Sequence, residues 1–152
     1  MNNNKSTISG SDDQNRPNPR RIFNRILRAA QPHINPFLID AEHHTARVIM
    51  TTRKGIGHKT DVFFNNTRML LGFVVKFHLA DQLSRPQKVS LAKMQNNTIG
   101  LSQITFDEET GILNIRAITV LPNSQSVSIV VAIILQEMFN ALDDETLSSF
   151  LN

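Results

Sequence analysis

The segment Arg53–Lys59 contains the residues whose types and spacing come closest to a small-ligand site. Two glycines, Gly55 and Gly57, stand there among cations, and such a loop can turn its backbone N–H groups towards a phosphate. The segment lacks the third glycine and the lysine of a phosphate-binding loop, and no helix is predicted to follow it. The sequence therefore favours a basic turn between two strands over a phosphate site.

Histidines and carboxylates are the other candidates for chemistry. The chain has no cysteine, and no pair of histidines has the spacing of a zinc site. The acidic runs 107–109 and 143–145 fall where a turn and a helix end are predicted, without the ligand spacing of a calcium loop. We therefore predict no catalytic residue, no metal site, no cofactor and no enzymatic activity. Surface or loop positions are predicted for all five histidines, which are His33, His43, His44, His58 and His78.

The length and composition of the chain predict one ordinary domain preceded by a polar tail. With 152 residues, 40% of them hydrophobic, the chain can bury one core. Residues 1–17 are predicted to form a disordered polar and basic tail, and residues 18–152 a single domain. The longest apolar run, Val127–Leu135, is well short of the roughly 20 residues that cross a bilayer. We therefore expect a cytoplasmic protein without a membrane span.

Basic charge is concentrated towards the N-terminus. Residues 1–60 hold ten Lys or Arg against four Asp or Glu, whereas residues 61–152 hold six against nine. A helix is predicted to begin after Asn18 as its cap, with Pro19 first, and to stop before Pro32. One of its faces is apolar and the other carries arginines, which is typical of a packed helix with solvated charges. The alternative is a nucleic-acid surface that joins this helix to the 53–59 turn, through Arg20, Arg21, Arg25, Arg28, Arg53, Lys54 and Lys59.

Three strands are predicted to follow the first helix. The chain after Pro32 and Pro36 is expected to be an irregular connector that carries Phe37, Leu38 and Ile39 inward. The strands themselves are recognised by β-branched residues and by apolar residues at period two, and they are predicted at Thr45–Thr52, Asp61–Phe64 and Met69–Leu79.

The second half of the chain predicts a short helix, a hairpin and a long apolar helix. Ser84 can cap the short helix, and the Asp107–Gly111 turn joins the two hairpin strands. The last helix is predicted to begin after Pro122, with Ser124 or Ser126 as its cap, to end near Leu142, and to have two apolar sides. One side can cover the sheet, so the other is predicted to contact a partner, through Ile129, Ile133 and Phe139.

The predicted order of helix, three strands, helix, two strands and helix is that of the type III secretion chaperone-like fold. The chain resembles a divergent member of the bacterial YbjN or secretion-chaperone superfamily, most clearly between Val89 and Leu142. The matching features are the helix end at Asn96 or Asn97, the strand Ile104–Phe106, the acidic turn Asp107–Gly111, the strand Leu113–Val120, the Leu121-Pro122 break and the helix Val127–Leu142. The resemblance implies an α+β fold with one antiparallel sheet packed against helices, commonly paired into dimers.

These features together lead to one functional hypothesis and one alternative. The first is a non-enzymatic protein-interaction module, chaperone-like or regulatory, which binds another protein chain through an aliphatic helix or sheet surface and forms a homodimer. The alternative is a nucleic-acid-binding protein that uses the cations named above.

Overall fold

The computed structural model describes residues 18–79, 83–94, 102–144 and 147. Within these ranges the chain forms one six-stranded antiparallel sheet, in the order β1-β2-β3-β4-β6-β5, and three α-helices. The predicted α+β class with a single antiparallel sheet is confirmed. The elements are α1 (Pro19–Ala30), β1 (Ile34–Asp40), β2 (Thr45–Thr51), β3 (Gly57–Asn65), β4 (Leu70–His78), α2 (Arg85–Met94), β5 (Ser102–Asp107), β6 (Ile112–Val120) and α3 (Val127–Leu142).

The segment predicted as an irregular connector is the edge strand β1, so four strands and not three precede α2. Proline is compatible with an edge strand because one side of such a strand needs no partner, and Pro36 pairs in register with Val48. The register shifts between Pro36 and Leu38, which leaves Phe37 as a bulge residue. The predicted inward position of Phe37, Leu38 and Ile39 is wrong, since each is more than half exposed.

The turn predicted at 53–59 is shorter than expected. The Thr52 N–H donates to the carbonyl of Ile56, and the Gly55 N–H donates to the carbonyl of Thr52, both at 2.9 Å. Gly55 has φ +80°, a conformation that glycine adopts without strain. Strand β3 begins at Gly57, so Lys59 is a strand residue and does not belong to the turn.

One face of the sheet is covered by helices and forms the core. Alternate residues of each inner strand point to this face, and Val48, Phe73 and Ile115 are fully buried there. Helix α3 contacts β4, β5 and β6, and α1 packs against α3. The apolar stripe of α1 is buried as predicted, and it consists of Ile22, Phe23, Ile26, Leu27 and Ala30.

The helix caps follow the sequence signals. Asn18 Oδ1 accepts a hydrogen bond from the Arg20 N–H at 2.9 Å, with Pro19 at the first helical position. At α2, the Ser84 N–H donates to Gln87 Oε1 at 2.8 Å and the Gln87 N–H donates back to Ser84 Oγ at 3.4 Å, which is a capping box. The predicted 1–17 tail and the helix end at Asn96 or Asn97 lie outside the described residues.

Helix α3, with the 3₁₀ turn Ser124–Ser126 before it, is long and apolar enough to cross a membrane by length and composition alone. The combined segment has 19 residues and a mean hydropathy of 1.5, so it is longer than the uninterrupted apolar run suggests. Core helices of water-soluble proteins pass the same test. In the fold, the side of α3 that carries Val131, Ile134 and Met138 is buried within the chain.

Candidate protein-interaction surfaces

An uncharged strip on the outer side of α3 remains exposed after the chain has folded. Ile129 is 67% exposed and Ile133 is 46% exposed, one helical turn apart. Their exposed neighbours on the helix are small or neutral. We call this strip the α3 patch, and it consists of Ser128, Ile129, Ala132, Ile133 and Gln136.

Phe139 was predicted to share this surface and does not. It is 5% exposed, and its ring lies edge-on to the ring of His33, with 5.2 Å between the centroids. At 100° per residue, Phe139 is turned by roughly 80° from Ile129 about the helix axis. Ala132 lies at nearly the same angle and is exposed, so the burial of Phe139 comes from the packing of His33, just after α1, against this end of α3.

The cations predicted to form a nucleic-acid surface do not all lie on one face of the sheet. Arg20, Arg21, Arg25 and Arg28 are exposed on α1, on the helix-covered side of the sheet. Lys59 lies on the other side, because its neighbour Thr60 is buried in the core and successive strand residues alternate. Lys54 Nζ donates to the carbonyl of Asp143 at 3.1 Å, at the C-terminal end of α3, where a cation stabilises the helix dipole. Arg53 is exposed in the turn beside it.

The histidines are dispersed over the fold. His43 Nδ1 lies 2.7 Å from Asp40 Oδ2 in the exposed β1–β2 turn, and this hydrogen bond raises the pKa of His43 and lowers that of Asp40. His58 packs edge-on to Phe77 at 5.5 Å, and burial lowers its pKa while the nearby Asp143 acts in the opposite direction. Among the described residues, no three His, Asp or Glu side chains lie close enough together to hold a metal ion.

The first acidic run is used for turn formation. Asp107 Oδ1 accepts hydrogen bonds from the N–H groups of Glu109 at 2.9 Å and Thr110 at 3.4 Å, and Gly111 completes the turn with φ +68°. Asp143 is the C-cap residue of α3. The interpretation of these carboxylates as turn and helix-end residues is therefore confirmed for the positions that the structure describes.

A second surface, on the uncovered face of the sheet, was missed by the sequence reasoning. Two adjoining depressions of about 570 and 360 Å³ share Arg47, Asp61, Val74 and Lys76 among their lining residues. The sequence signal for this surface is the period-two alternation of β2, β3 and β4, in which the second face of the strands carries both apolar and charged residues. We call this surface the open-face groove, and its main residues are Phe37, Leu38, Arg47, Lys59, Val74 and Lys76.

Comparison with known proteins gives little sequence information. No protein-family profile matches the chain, and no curated protein matches it. A chain in the solved structure of the HopA1-SchA chaperone-effector complex matches with 11% identity and a TM-score of 0.43, over 80% of this chain and 90% of that one. At this level of similarity nothing about partners or residues is transferred from that complex.

Proposed function

We propose that this chain is a non-enzymatic protein-binding module that pairs with a second copy of itself through the α3 patch. The observation that carries this proposal is the exposure of Ile129 and Ile133 on a helix whose opposite side is already buried. Exposed apolar groups gain free energy when another surface removes them from water.

The chemistry of the α3 patch favours a second copy as the occupant. The exposed residues of the patch are uncharged, and the nearest charge, the partly exposed Glu137, lies at its edge, so two copies can meet across a two-fold axis with that carboxylate left at the rim of the contact. Ser128 and Ala132 are small, which lets the two helices approach closely. Burying an isoleucine stabilises by about 1.5 to 3 kcal/mol as an upper value, and a symmetric contact would bury four of them.

The molar mass in solution tests the proposal. Light scattering at micromolar concentration should give twice the mass of one chain, and Ile133→Asp should give the mass of one chain because it places a carboxylate in the contact. The matched control is Ile56→Asp, the same change at an isoleucine that is 51% exposed in the β2–β3 turn, and it should leave the dimer intact. A wild-type protein that is folded and monomeric at this concentration would show that the α3 patch is not a self-association surface.

We also propose a chaperone-like or regulatory role for the chain, in the cytoplasm. The arrangement of the surfaces supports the role: pairing through α3 would leave the whole uncovered face of the sheet free for another protein. A dimer built this way would present two such faces.

A further inference from the structure

We infer that the open-face groove binds an extended segment of a partner protein that carries a carboxylate next to apolar side chains. This deepens the proposed protein-binding function and rests on it, but it does not depend on pairing through the α3 patch. The groove and the patch lie on opposite sides of the sheet, so the two interactions can be tested separately.

The wall of the groove is formed by the edge strand. The bulge between Pro36 and Leu38 inserts Phe37 as an extra residue, and Phe37 and Leu38 both line the groove, at 54% and 57% exposure. Adjacent residues of a regular strand point to opposite faces, whereas a bulge lets two neighbours share a face. The result is a pair of exposed apolar side chains on the β1 side of the groove, whereas Val74 lies on β4, with β2 and β3 between them.

The cationic end of the groove is formed by two lysines placed side by side. Thr60 pairs with Val75 across β3 and β4, so the preceding Lys59 and the following Lys76 are opposite one another on the uncovered face. Both are exposed, and neither belongs to an ion pair among the described residues. Like charges at directly opposed positions destabilise a sheet, and a bound carboxylate between the two ammonium groups would remove that repulsion.

The middle of the groove is already neutralised. Arg47 Nε lies 3.5 Å from Asp61 Oδ1, and the two side chains are 65% and 48% exposed. Asp40 lines the end of the groove remote from the lysines. The charge is therefore positive at one end only, which fits a ligand with a carboxylate at one end and apolar residues along the rest.

The placement of these charges favours a peptide over a nucleic acid. A single strand of RNA or DNA carries a phosphate at every nucleotide and would bring some of them close to Asp61 and Asp40. An extended peptide rises by about 3.3 Å per residue, so four or five residues would span the distance from the Leu38 end to the lysines, roughly 15 Å. Alternate side chains of such a peptide would face Leu38 and Val74.

Fluorescence anisotropy with two labelled peptides tests the inference. The first is an eight-residue peptide of alternating valine and threonine that ends in two glutamates, and the second has glutamines in place of the glutamates. At 150 mM salt, where the Debye length is about 8 Å, the glutamate peptide should bind with a Kd about tenfold lower or more than the glutamine peptide, because only a carboxylate can pair with Lys59 and Lys76.

Charge-reversal variants locate the site. Lys59→Glu with Lys76→Glu should raise the Kd of the glutamate peptide by about tenfold or more. The matched control is Arg21→Glu with Arg25→Glu on α1, which changes the net charge equally and should change the Kd by less than about twofold. Circular dichroism checks that all variants are folded.

Three results would overturn the inference. The first is that both double variants raise the Kd of the glutamate peptide by the same factor. The second is that the glutamate and glutamine peptides bind with the same Kd. The third is that a single-stranded oligonucleotide binds at Lys59 and Lys76 more tightly than the glutamate peptide does. The Ile133→Asp variant separates this test from the proposed dimer: if that variant is monomeric and still binds the glutamate peptide, the groove acts without pairing. If no dimer exists but the peptide binds at the lysines, only the α3 contact is wrong.

Discussion

The two faces of the sheet have different compositions although the same strands form both. On the covered face Val48, Phe73 and Ile115 are fully buried. On the uncovered face their chain neighbours include Arg47, Val74 and Arg116, which are partly or fully exposed. The first face supplies the apolar burial that stabilises the fold, so the second face can vary in charge and shape without unfolding the chain.

Side chains on the uncovered face also make specific contacts with one another. Arg116 donates from Nε and Nη2 to Gln103 Oε1, at 3.0 and 2.7 Å. The ring of Phe63 lies directly over Gly72, where an added Cβ would overlap ring atoms. Such contacts hold side chains in place and shape the surface, but they bury little compared with the covered face.

The largest expected difference between the faces is seen with two adjacent residues of β4. Phe73→Ala should reduce the free energy of unfolding by about 3 to 5 kcal/mol, because it removes a fully buried ring and leaves a cavity. Val74→Ala should cost less than about 1 kcal/mol. Urea titrations of both variants give the comparison, and similar losses for the two would mean that the uncovered face is buried in solution.

The next largest effect concerns the contact between Phe63 and Gly72. Gly72→Ala should cost about 1 to 3 kcal/mol, since the new methyl group displaces the Phe63 ring and also approaches Ile118 Cγ1 at 3.1 Å. In a Phe63→Ala background the same change should cost much less, because most of the overlap is gone. A double-mutant cycle measured by chemical denaturation should therefore show a coupling of about 1 kcal/mol or more, and additive effects would contradict the packing described.

The smallest expected effects are the changes in protein stability with pH that arise from two histidines. Burial lowers the pKa of His58 below its ordinary value of 6.5, so the stability it contributes is present above that value and is lost as the pH falls towards the lowered pKa. The Asp40 hydrogen bond raises the pKa of His43, so its contribution is present below 6.5 and is lost as the pH rises through the raised pKa.

Melting temperatures between pH 5.5 and 7.5 test the opposite signs. His58→Gln should make the protein less sensitive to acid than the wild type, and His43→Gln should make it more sensitive. The effect of His43 should be small because the turn is fully exposed and water screens the pair. The same sign for both variants would show that one of the two environments is misassigned.

Much of the fold could be predicted from local patterns. The Asn18-Pro19 start of α1, the period-two pattern of β4 and the Asp107–Gly111 turn each depend on a few residues close in sequence. Strand β1 could not be recognised in this way. Pro36 reads as a break, and only the edge position of the strand beside β2 makes it tolerable.

The candidate surfaces were harder to predict because they depend on which elements become neighbours. The helical period of α3 places Ile129 and Phe139 on its less apolar side, but only the packing of α1 against α3 decides that Phe139 is buried and Ile129 is not. The prediction from charge along the sequence placed Lys59 in one surface with the arginines of α1, whereas in the structure the sheet separates them. The sheet places Lys59 beside Lys76 instead, a residue that the prediction did not include.

The sequence by itself determined the helices, most of the strands and the apolar stripe of α1, because each arises from residue spacing along one helix or strand. The tertiary structure alone decided which apolar side chains stay exposed and which cations meet. Exposure and charge proximity depend on contacts between residues far apart in the chain, such as Lys54 with Asp143 and His33 with Phe139, and no local pattern encodes those.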